Sequence, residues 1–310
     1  MDDLLIIGGS AAGTAAAVYA ARRNLKVRLL AGDLGGEVAT SGDVDNYPGF
    51  VHTTGIELAT LFEKHLRAHD LPIEVGVLAT GLARDEQTGI LTITATKDSQ
   101  PTSYQAKTMI LATGVHPRLL GIPGEKEFKN KGLSYCTVCD GPLYRGKRVA
   151  TIGGGNSALE SVIMLAGLAK QVSLLTIHPE MKGEAVLIDK VKALPNVTLI
   201  PNATATKVVG DQFVTNLEYT NKQTSAGDKL SVDGIFVHIG MIPNSDYATI
   251  VDKNPFGEIK VNTLTETNVP GLFAAGDVTD HPFKQIAIAT GQGVTAALQA
   301  ARYLDKLIKK

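Results

Sequence analysis

The chain has 310 residues, with 30 Lys and Arg against 31 Asp and Glu, a formal net charge of -1 and 44% hydrophobic residues. This balance is typical of one large or two medium globular domains and gives no electrostatic basis for binding nucleic acid. Aromatic residues make up 5% and Trp is absent, which also disfavours a base-stacking surface.

The N-terminal segment resembles neither a signal peptide nor a membrane anchor. Acidic Asp2 and Asp3 stand where a signal peptide carries basic residues, and no apolar run is long enough to cross a bilayer. We therefore expect a cytoplasmic protein without membrane association, in a compartment where structural disulfides are rare. A C-x-x-C pair in such a protein predicts redox or metal chemistry before framework bonding.

The first predicted elements form a strand, a glycine-rich loop, a helix and a second strand. They are the apolar run Leu4 to Ile7, the loop GGSAAG, a helix from Ala11 to about Arg23, and a strand from Lys26 to Ala31. This order is the opening of a Rossmann unit, in which a pyrophosphate sits at the helix N-terminus. Ser10 replaces the middle glycine of the motif, and we expect it to crowd the phosphate slightly. The alternative is a tight turn without a ligand.

The same pattern recurs in the middle of the chain. RVATIGGGNSALE, residues 148–160, predicts a strand, a glycine loop and a helix, and residues 171–177 predict the next strand. Gly153, Gly155 and Ala158 give the G-x-G-x-x-A form of the motif. Two such starts predict two dinucleotide sites, with one ligand passing electrons to the other. A duplicated domain with one inactive site is the alternative.

Three further strands are predicted to end in small or acidic residues. Residues 108–118 end a strand at Ala112-Thr113-Gly114, residues 234–244 end one at Gly240, and residues 271–280 run into Gly276-Asp277. A carboxylate at the end of a parallel strand can hold a sugar or ribityl hydroxyl, although Gly-Asp is also a common turn. The segment from Gln285 to Lys310 has the apolar spacing of a helix.

The motifs GGSAAG, ATG, CTVCDG, GGGNSA and AAGD, in this order, resemble the low-molecular-weight thioredoxin reductases over nearly the whole chain. The resemblance implies an α/β fold with two Rossmann-like, three-layer nucleotide-binding domains, the second inserted into the first. An FAD domain would comprise residues 1–115 and 245–310, and a pyridine-nucleotide domain carrying the C-x-x-C would comprise residues 116–244. Gly- and Pro-containing linkers suit hinges between them, and the family implies a homodimer.

The resemblance also implies two sets of cofactor-binding residues and no metal site. The FAD set is Gly8, Ser10, Ala11, Gly13, Gly36, Glu37, Asn46, Ala112, Thr113, Gly114, Gly276, Asp277, Lys284, Gln285 and Ile286. The pyridine-nucleotide set is Gly153, Gly155, Asn156, Ser157, Ala158, Thr176, His178, Lys182 and Gly240.

The C-x-x-C pair, Cys136 and Cys139, is followed directly by Asp140. A two-residue gap permits a disulfide when the first cysteine opens a helix, and a helix N-terminus lowers the pKa of a thiol. By resemblance, Cys139 lies next to the flavin, Cys136 forms the mixed disulfide with thioredoxin, and Asp140 protonates the leaving thiolate. A zinc site would need four ligands and no second pair is present. Two inert thiols are the remaining alternative.

The electron donor is the least determined feature of the sequence. NADPH-using members of the family carry arginines after the strand that follows GGGxSA, whereas residues 176–182 here read TIHPEMK. Thr176 lacks the charge of the acid that holds the ribose in NADH enzymes, His178 and Lys182 are weaker than arginine forks, and Glu180 would repel a phosphate. NADH, weak use of NADPH, and a donor such as ferredoxin all stay open, with NADH favoured.

The second half of the chain also resembles the flavoprotein subunit of alkyl hydroperoxide reductase. That protein has an additional N-terminal thioredoxin-like region, which this sequence lacks, so we expect a separate partner. The predicted function is an FAD-dependent thioredoxin-disulfide reductase that passes electrons from a nicotinamide through FAD and the cysteine pair to thioredoxin or a thioredoxin-like protein. A ferredoxin-dependent reductase, a reductase of a peroxidase-coupled carrier, and a flavin-bound sensor without turnover are the alternatives. The C-x-x-C argues against a ferredoxin–NADP⁺ reductase.

Overall fold

The computed structural model describes residues 1–41, 43–44 and 46–308, with the backbone alone at Asp43, Cys139 and Ile308. The chain forms two compact units, one of Met1–His116 with Ile242–Lys310 and one of Pro117–Met241. Both are built on Rossmann-like parallel strands, which confirms the predicted α/β fold class. Within the described ranges, every helix is too short or too polar to span a membrane.

The elements follow one another in three stretches of chain. The first contains β1 (Asp2–Gly9), α1 (Ala11–Ala21), β2 (Val27–Leu34), α2 (Gly36–Thr40), β3 (Asp43–Val44), β4 (Thr53–Thr54), α3 (Gly55–Arg67), β5 (Ile73–Val75), β6 (Val77–Arg84), β7 (Leu91–Lys97), β8 (Gln100–Leu111) and β9 (Val115–Pro117). The second contains α4 (Glu125–Phe128), β10 (Leu133–Ser134), α5 (Thr137–Asp140), a 3₁₀ turn (Gly141–Tyr144), β11 (Arg148–Ile152), α6 (Asn156–Ala166), β12 (Gln171–Leu175), α7 (Ala185–Lys192), β13 (Val197–Ile200), β14 (Ala203–Gly210), β15 (Val214–Asn221), β16 (Gly227–Ser231) and β17 (Gly234–Val237). The third contains β18 (Met241–Pro243), β19 (Leu272–Ala274) and α8 (Ile286–Ile308).

The first unit is organised by a sheet in the order β5-β2-β1-β8-β7-β6, with β19 also paired to β8. β1 is parallel to both β2 and β8, and Leu4, Leu5 and Ile6 on it are fully buried. Because β1 is buried on both faces, its sequence is a continuous apolar run and does not alternate between apolar and polar residues. Because β1, β8 and β19 run parallel, their carboxyl ends meet at one edge, which is where α/β sheets bind ligands.

Two helices of the first unit, one from each of its chain segments, pack unusually closely. A Cβ added to Gly293 on α8 would lie 2.1 Å from the carbonyl oxygen of Ala12 on α1. The Ala-rich sequence of α1 and the glycine of α8 therefore permit contact between the two backbones.

The second unit has a parallel sheet in the order β10-β17-β11-β12-β13 and a separate antiparallel sheet, β14-β15-β16. The parallel strands β11, β12 and β17 are followed directly by Gly153, Thr176 and His238, which therefore share one edge. The strands of the antiparallel sheet contain alternating β-branched and polar residues, which favours strand structure, but they were not among the predicted elements.

Candidate functional site

The glycine loop after β1 is held by backbone contacts that only glycine allows. Gly8 has a φ of +120°, and a Cβ there would lie 2.1 Å from the carbonyl oxygen of Ala112. A Cβ on Gly13 would lie 1.9 Å from the carbonyl oxygen of Gly8. These contacts bring the loop against the end of β8 and open the N-terminus of α1 toward the sheet edge.

Ser10 is accommodated by the direction of its side chain. Its hydroxyl donates to the carbonyl oxygen of Gly35 and makes no capping bond to α1. The hydroxyl is therefore engaged with the Gly35 loop, and the N–H groups of the first turn of α1 keep their capacity to bind an anion.

A cavity of about 860 Å³ opens at this edge of the sheet, a size typical of cofactor sites. The predicted FAD residues that line it are Gly8, Ser10, Ala11, Gly36, Glu37, Ala112, Thr113, Gly114, Gly276, Asp277, Lys284, Gln285 and Ile286. The other two contribute from outside the wall. Gly13 supports the loop, and Asn46 Nδ2 donates to Gln285 Oε1 over 3.1 Å.

The cavity also has walls that the sequence motifs did not indicate. Asp33, at the end of β2, lines it and accepts a hydrogen bond from the Gly36 N–H at 2.9 Å. The sequence could have indicated Asp33 as a site residue, because an acid about 20 residues after the glycine motif holds a ribose in Rossmann folds. His116, Asn244 and Tyr247 carry no comparable signal, since folding alone brings them to this loop.

Two carboxyl groups in the cavity are less acidic than usual. Burial raises the pKa of Glu37, and the nearby carboxylates of Asp277 and Asp33 raise it further, although a hydrogen bond from Thr40 opposes the shift. Burial also raises the pKa of Asp277, against the opposing charge of Lys284. Such groups suit hydrogen bonding to hydroxyl groups of a neutral part of a ligand.

The glycine loop of the second unit is built in the same way. Gly153 has a φ of +148°, and a Cβ there would lie 2.1 Å from the carbonyl oxygen of His238. Gly155 caps the N-terminus of α6 without a side-chain bond, and a Cβ on it would have open space around it. Ala158 is buried beneath the loop and Ser157 lies in the first turn of α6. The loop leaves room for a phosphate at the start of α6.

The segment after β12 closes onto this loop. Asn156 and Glu184 form a reciprocal pair, in which Asn156 Nδ2 donates to Glu184 Oε1 at 2.9 Å and the Glu184 N–H donates to Asn156 Oδ1 at 2.8 Å. The Lys182 N–H donates to the Gly154 carbonyl oxygen at 2.7 Å. Two predicted residues, Asn156 and Lys182, are thus both bonded between the glycine loop with its helix and the segment after β12.

The remaining predicted nucleotide residues lie at the same sheet edge. Thr176 is buried and its hydroxyl oxygen accepts from the His178 N–H at 3.3 Å, while the His178 side chain is exposed. Gly240 has a φ of +103° and its carbonyl oxygen accepts from the Arg118 N–H at 2.9 Å. Arg118, whose backbone makes this bond, was not among the predicted site residues.

Cys136 lies directly before the single-turn helix α5 and is disulfide-bonded. The only other cysteine of the chain is Cys139, whose side chain is outside the described part. The carbonyl oxygen of Cys136 accepts from the Asp140 N–H at 3.2 Å, and its N–H donates to Ser134 Oγ at 3.0 Å. The Gly-Pro pair after α5 begins a 3₁₀ turn, Gly141–Tyr144.

A buried polar chain lies beside the cysteine motif and was not predicted. Thr137 Oγ1 is 2.6 Å from Ser161 Oγ and 2.7 Å from His238 Nε2. Ser161 Oγ is in turn 3.4 Å from Thr151 Oγ1. Burial lowers the pKa of His238 to about 4, so the imidazole is neutral at pH 7. Thr137 and His238 are far apart in sequence, and no local pattern pairs them.

The lowered pKa of His238 leads us to expect a loss of folding stability in acid. Because the folded-state pKa lies below the ordinary value of 6.5, the contribution of His238 is complete above pH 6.5 and is lost as the pH falls toward 4. We expect the wild type to lose about 3 kcal/mol more free energy of unfolding between pH 7 and pH 4 than the variant His238→Gln. Urea unfolding at both pH values measures this. The exposed His178→Gln variant is the control and should parallel the wild type; identical losses in all three proteins would contradict the assignment.

The fold and the two glycine loops are typical of oxidoreductases that bind two nucleotide cofactors, and comparisons with known proteins agree. The sequence model of the pyridine nucleotide-disulphide oxidoreductase family matches residues 2–293, and the chain belongs to this family. Membership implies FAD and a nicotinamide nucleotide as cofactors. Among the described residues, no cluster of His, Cys, Asp and Glu is arranged to hold a metal ion.

The chain is similar to three named proteins in particular. It is 40% identical over 303 residues to an NADH dehydrogenase of Ferdinandcohnia aciditolerans, and 41% identical over 304 residues to the F subunit of the alkyl hydroperoxide reductase of Pseudomonas putida. These alignments cover 97% of this chain and 57% and 58% of the relatives, so the chain spans about three fifths of their length. The crystal structure of thioredoxin reductase from T. acidophilum matches with a TM-score of 0.81, 38% identity and 99% coverage of both chains.

Proposed function

We propose that the protein is an FAD-dependent disulfide reductase that takes electrons from a nicotinamide nucleotide and delivers them, at the Cys136–Cys139 disulfide, to thioredoxin or a thioredoxin-like protein. The observation that carries the proposal is that one chain of this family contains two glycine loops, each followed by a helix without a side-chain cap, together with the disulfide-bonded Cys136. The unit containing Met1–His116 is the proposed FAD domain, and Pro117–Met241 the proposed pyridine-nucleotide domain. The resemblance also supports a homodimer.

The cavity residues fit FAD. Gly8 and Gly13 leave a backbone cradle that a side chain would fill, and the open first turn of α1 suits the pyrophosphate. Asp33 and Asp277 line the cavity, where Asp33 would hold the adenosine ribose and Asp277 a ribityl hydroxyl. When bound, FAD would supply the exchange of an electron pair between a nicotinamide and a disulfide.

The cysteine pair accounts for the delivery of electrons to the partner. In the dithiol form, the Cys136 thiolate attacks one sulfur of the partner disulfide, forming a mixed disulfide and releasing a partner thiolate, which Asp140 protonates. Cys139 then loses its proton and attacks the Cys136 sulfur, which breaks the mixed disulfide and re-forms the internal one; the second partner sulfur leaves as a thiolate and takes up the proton that Cys139 released. The partner gains two electrons and two protons in total. Ser134 supports this role, because its hydroxyl holds the Cys136 N–H.

The nucleotide loop supports NADH as the donor. Residues 176–182 contain no arginine, and the Glu184 carboxylate is held at the first turn of α6 by Asn156. We expect kcat/KM to favour NADH over NADPH, and the variant Glu180→Arg to raise kcat/KM for NADPH about tenfold, because an exposed guanidinium attracts the 2′-phosphate by about 1.4 kcal/mol.

An anaerobic titration of the purified flavoprotein with NADH, NADPH and reduced ferredoxin tests the donor directly through the flavin absorbance. Bleaching by NADH at equimolar addition supports the proposal, and steady-state kinetics give the ratio of the two nucleotides. A strong preference for NADPH would refute the choice of NADH. If reduced ferredoxin bleaches the flavin and neither nucleotide does, ferredoxin is the electron donor in place of the nicotinamide nucleotide.

A further inference from the structure

We propose that His238 is a positioning residue for the redox-active disulfide. Through Thr137 it holds the single-turn helix α5, which follows Cys136, against the parallel sheet of the Pro117–Met241 unit, and so maintains the reactivity of the Cys136 thiol. The inference deepens the proposed function and rests on it for its biological meaning. It concerns a buried titratable group that the electron-transfer steps above do not use.

Helix α5 cannot hold its own shape. It has four residues, and the backbone hydrogen bond that connects it to Cys136 runs from the Asp140 N–H to the Cys136 carbonyl oxygen. A single turn is unstable in isolation, because it fixes several backbone torsions for one hydrogen bond. Its geometry must therefore come from contacts with the rest of the unit. The side chain of Thr137, which is only 3% exposed, makes such a contact.

The anchor at the other end is rigid. His238 follows β17 directly, and its N–H donates to the Ile152 carbonyl oxygen at 2.7 Å, which fixes the backbone to β11. From there Nε2 lies 2.7 Å from Thr137 Oγ1, whose other partner is Ser161 at 2.6 Å. The neutral imidazole and the two hydroxyls form a complete chain of donors and acceptors. Removing one member leaves buried polar atoms unpaired, which costs more than the bond contributes.

The same residue also contacts the nucleotide loop. The His238 carbonyl oxygen occupies the space that a Cβ on Gly153 would fill, at 2.1 Å. One residue thus packs against the nucleotide loop with its backbone and holds the cysteine helix with its side chain. This placement explains why a polar chain is retained in the interior, where apolar side chains would pack without any need for hydrogen-bond partners.

The positioning acts on the thiol through the backbone. Backbone amide groups at the start of a helical turn lower the pKa of a thiol, so we expect the stability of the Cys136 thiolate to depend on the position of this turn. The other titratable groups on α5 and on the elements packed against it are Cys139 and Asp140 on α5 itself, Tyr144 on the 3₁₀ turn and Glu160 on α6. Substitution of Thr137 changes none of these charges. A shift in the titration of Cys136 would therefore report the position of the turn.

The test is the pH profile of Cys136 alkylation in the DTT-reduced, flavin-loaded protein, with the modified peptide quantified by mass spectrometry. We expect Thr137→Val and His238→Leu to raise the midpoint, so that alkylation at pH 7 slows about fivefold, the equivalent of one hydrogen bond. Thr137→Ser retains the hydroxyl, and His238→Gln places an amide near the position of Nε2. Both should stay within about twofold of the wild type.

Thr151→Val is the matched control, because Thr151 is also buried and, among the described residues, its hydroxyl makes the single 3.4 Å contact with Ser161 Oγ at the far end of the polar chain. Its midpoint should equal that of the wild type. A purely structural role would lower the melting temperature of the variants without moving the midpoint. The proposal is overturned if Thr137→Val and His238→Leu keep the wild-type midpoint, or if Thr151→Val shifts it equally. The assay needs neither nucleotide nor partner protein, so its outcome is separate from failure of the proposed electron path.

Discussion

Replacing Cys136 with serine is expected to abolish disulfide reduction, with turnover on a thioredoxin-like substrate at least about a thousandfold lower. A hydroxyl has no accessible anion at neutral pH, whereas the thiolate is the attacking group in thiol–disulfide exchange. The measurement is NADH consumption with a disulfide partner, followed in the wild type and in Cys136→Ser.

The control for this variant is the reduction of ferricyanide by NADH, an acceptor that needs no thiol. It should proceed at the wild-type rate, because Cys136 lies in the Pro117–Met241 unit and is not part of the cavity of the first unit. Retention of disulfide reductase activity by the serine variant would refute the assigned role of the cysteine. Loss of both activities would point to misfolding, which circular dichroism and the flavin content would reveal.

A second large effect is expected from one methyl group in the first glycine loop. Gly13→Ala places a Cβ where the Gly8 carbonyl oxygen now lies, 1.9 Å away, so the loop must open. We expect the variant to purify without flavin, or to bind FAD at least about a hundredfold more weakly, since the loop and the first turn of α1 no longer fit the pyrophosphate. The ratio of flavin to protein absorbance and a titration with FAD measure this.

The matched control is Gly291→Ala, which makes the same change in another helix of the same unit. A Cβ there meets nothing within 4 Å, so alanine should be tolerated and should stabilise α8 by about 0.5 to 1 kcal/mol. A flavin content equal to wild type and a slightly higher melting temperature are the expected results. Full flavin occupancy in Gly13→Ala would contradict the assignment of this loop to the cofactor.

Local sequence signals were sufficient for both glycine loops and for the parallel strands next to them, whereas the parallel strands β5, β10 and β13 were not predicted. A buried apolar strand that runs into closely spaced glycines and then a helix leaves few other structures, because glycines such as Gly8 and Gly153 are required by positive φ and by backbone contact. The α/β fold class was therefore predicted correctly from short segments. The C-x-x-C was likewise recognisable as a motif, but its redox chemistry and the roles of its two cysteines stay predictions that depend on resemblance.

What the sequence could not reveal are contacts between distant positions and the directions of side chains. The Ser10 hydroxyl turns to Gly35, and nothing local to the motif indicates this. Thr137 and His238 meet because β17 lies beside β11 in the sheet, a strand order that the linear pattern does not encode. Arg118 reaches Gly240 for a similar reason. The residues that were missed are those whose function depends on tertiary neighbours.

The close packing of Gly293 against Ala12 has a consequence for synthesis on the ribosome. The first unit needs α8 to cover α1, and α8 leaves the exit tunnel only after everything before it has been made. The inserted Pro117–Met241 unit has all of its strands available earlier and is free to fold first. Until translation reaches α8, the face of α1 that packs on α8 stays uncovered, so we expect the first unit to complete its core last, after the inserted unit.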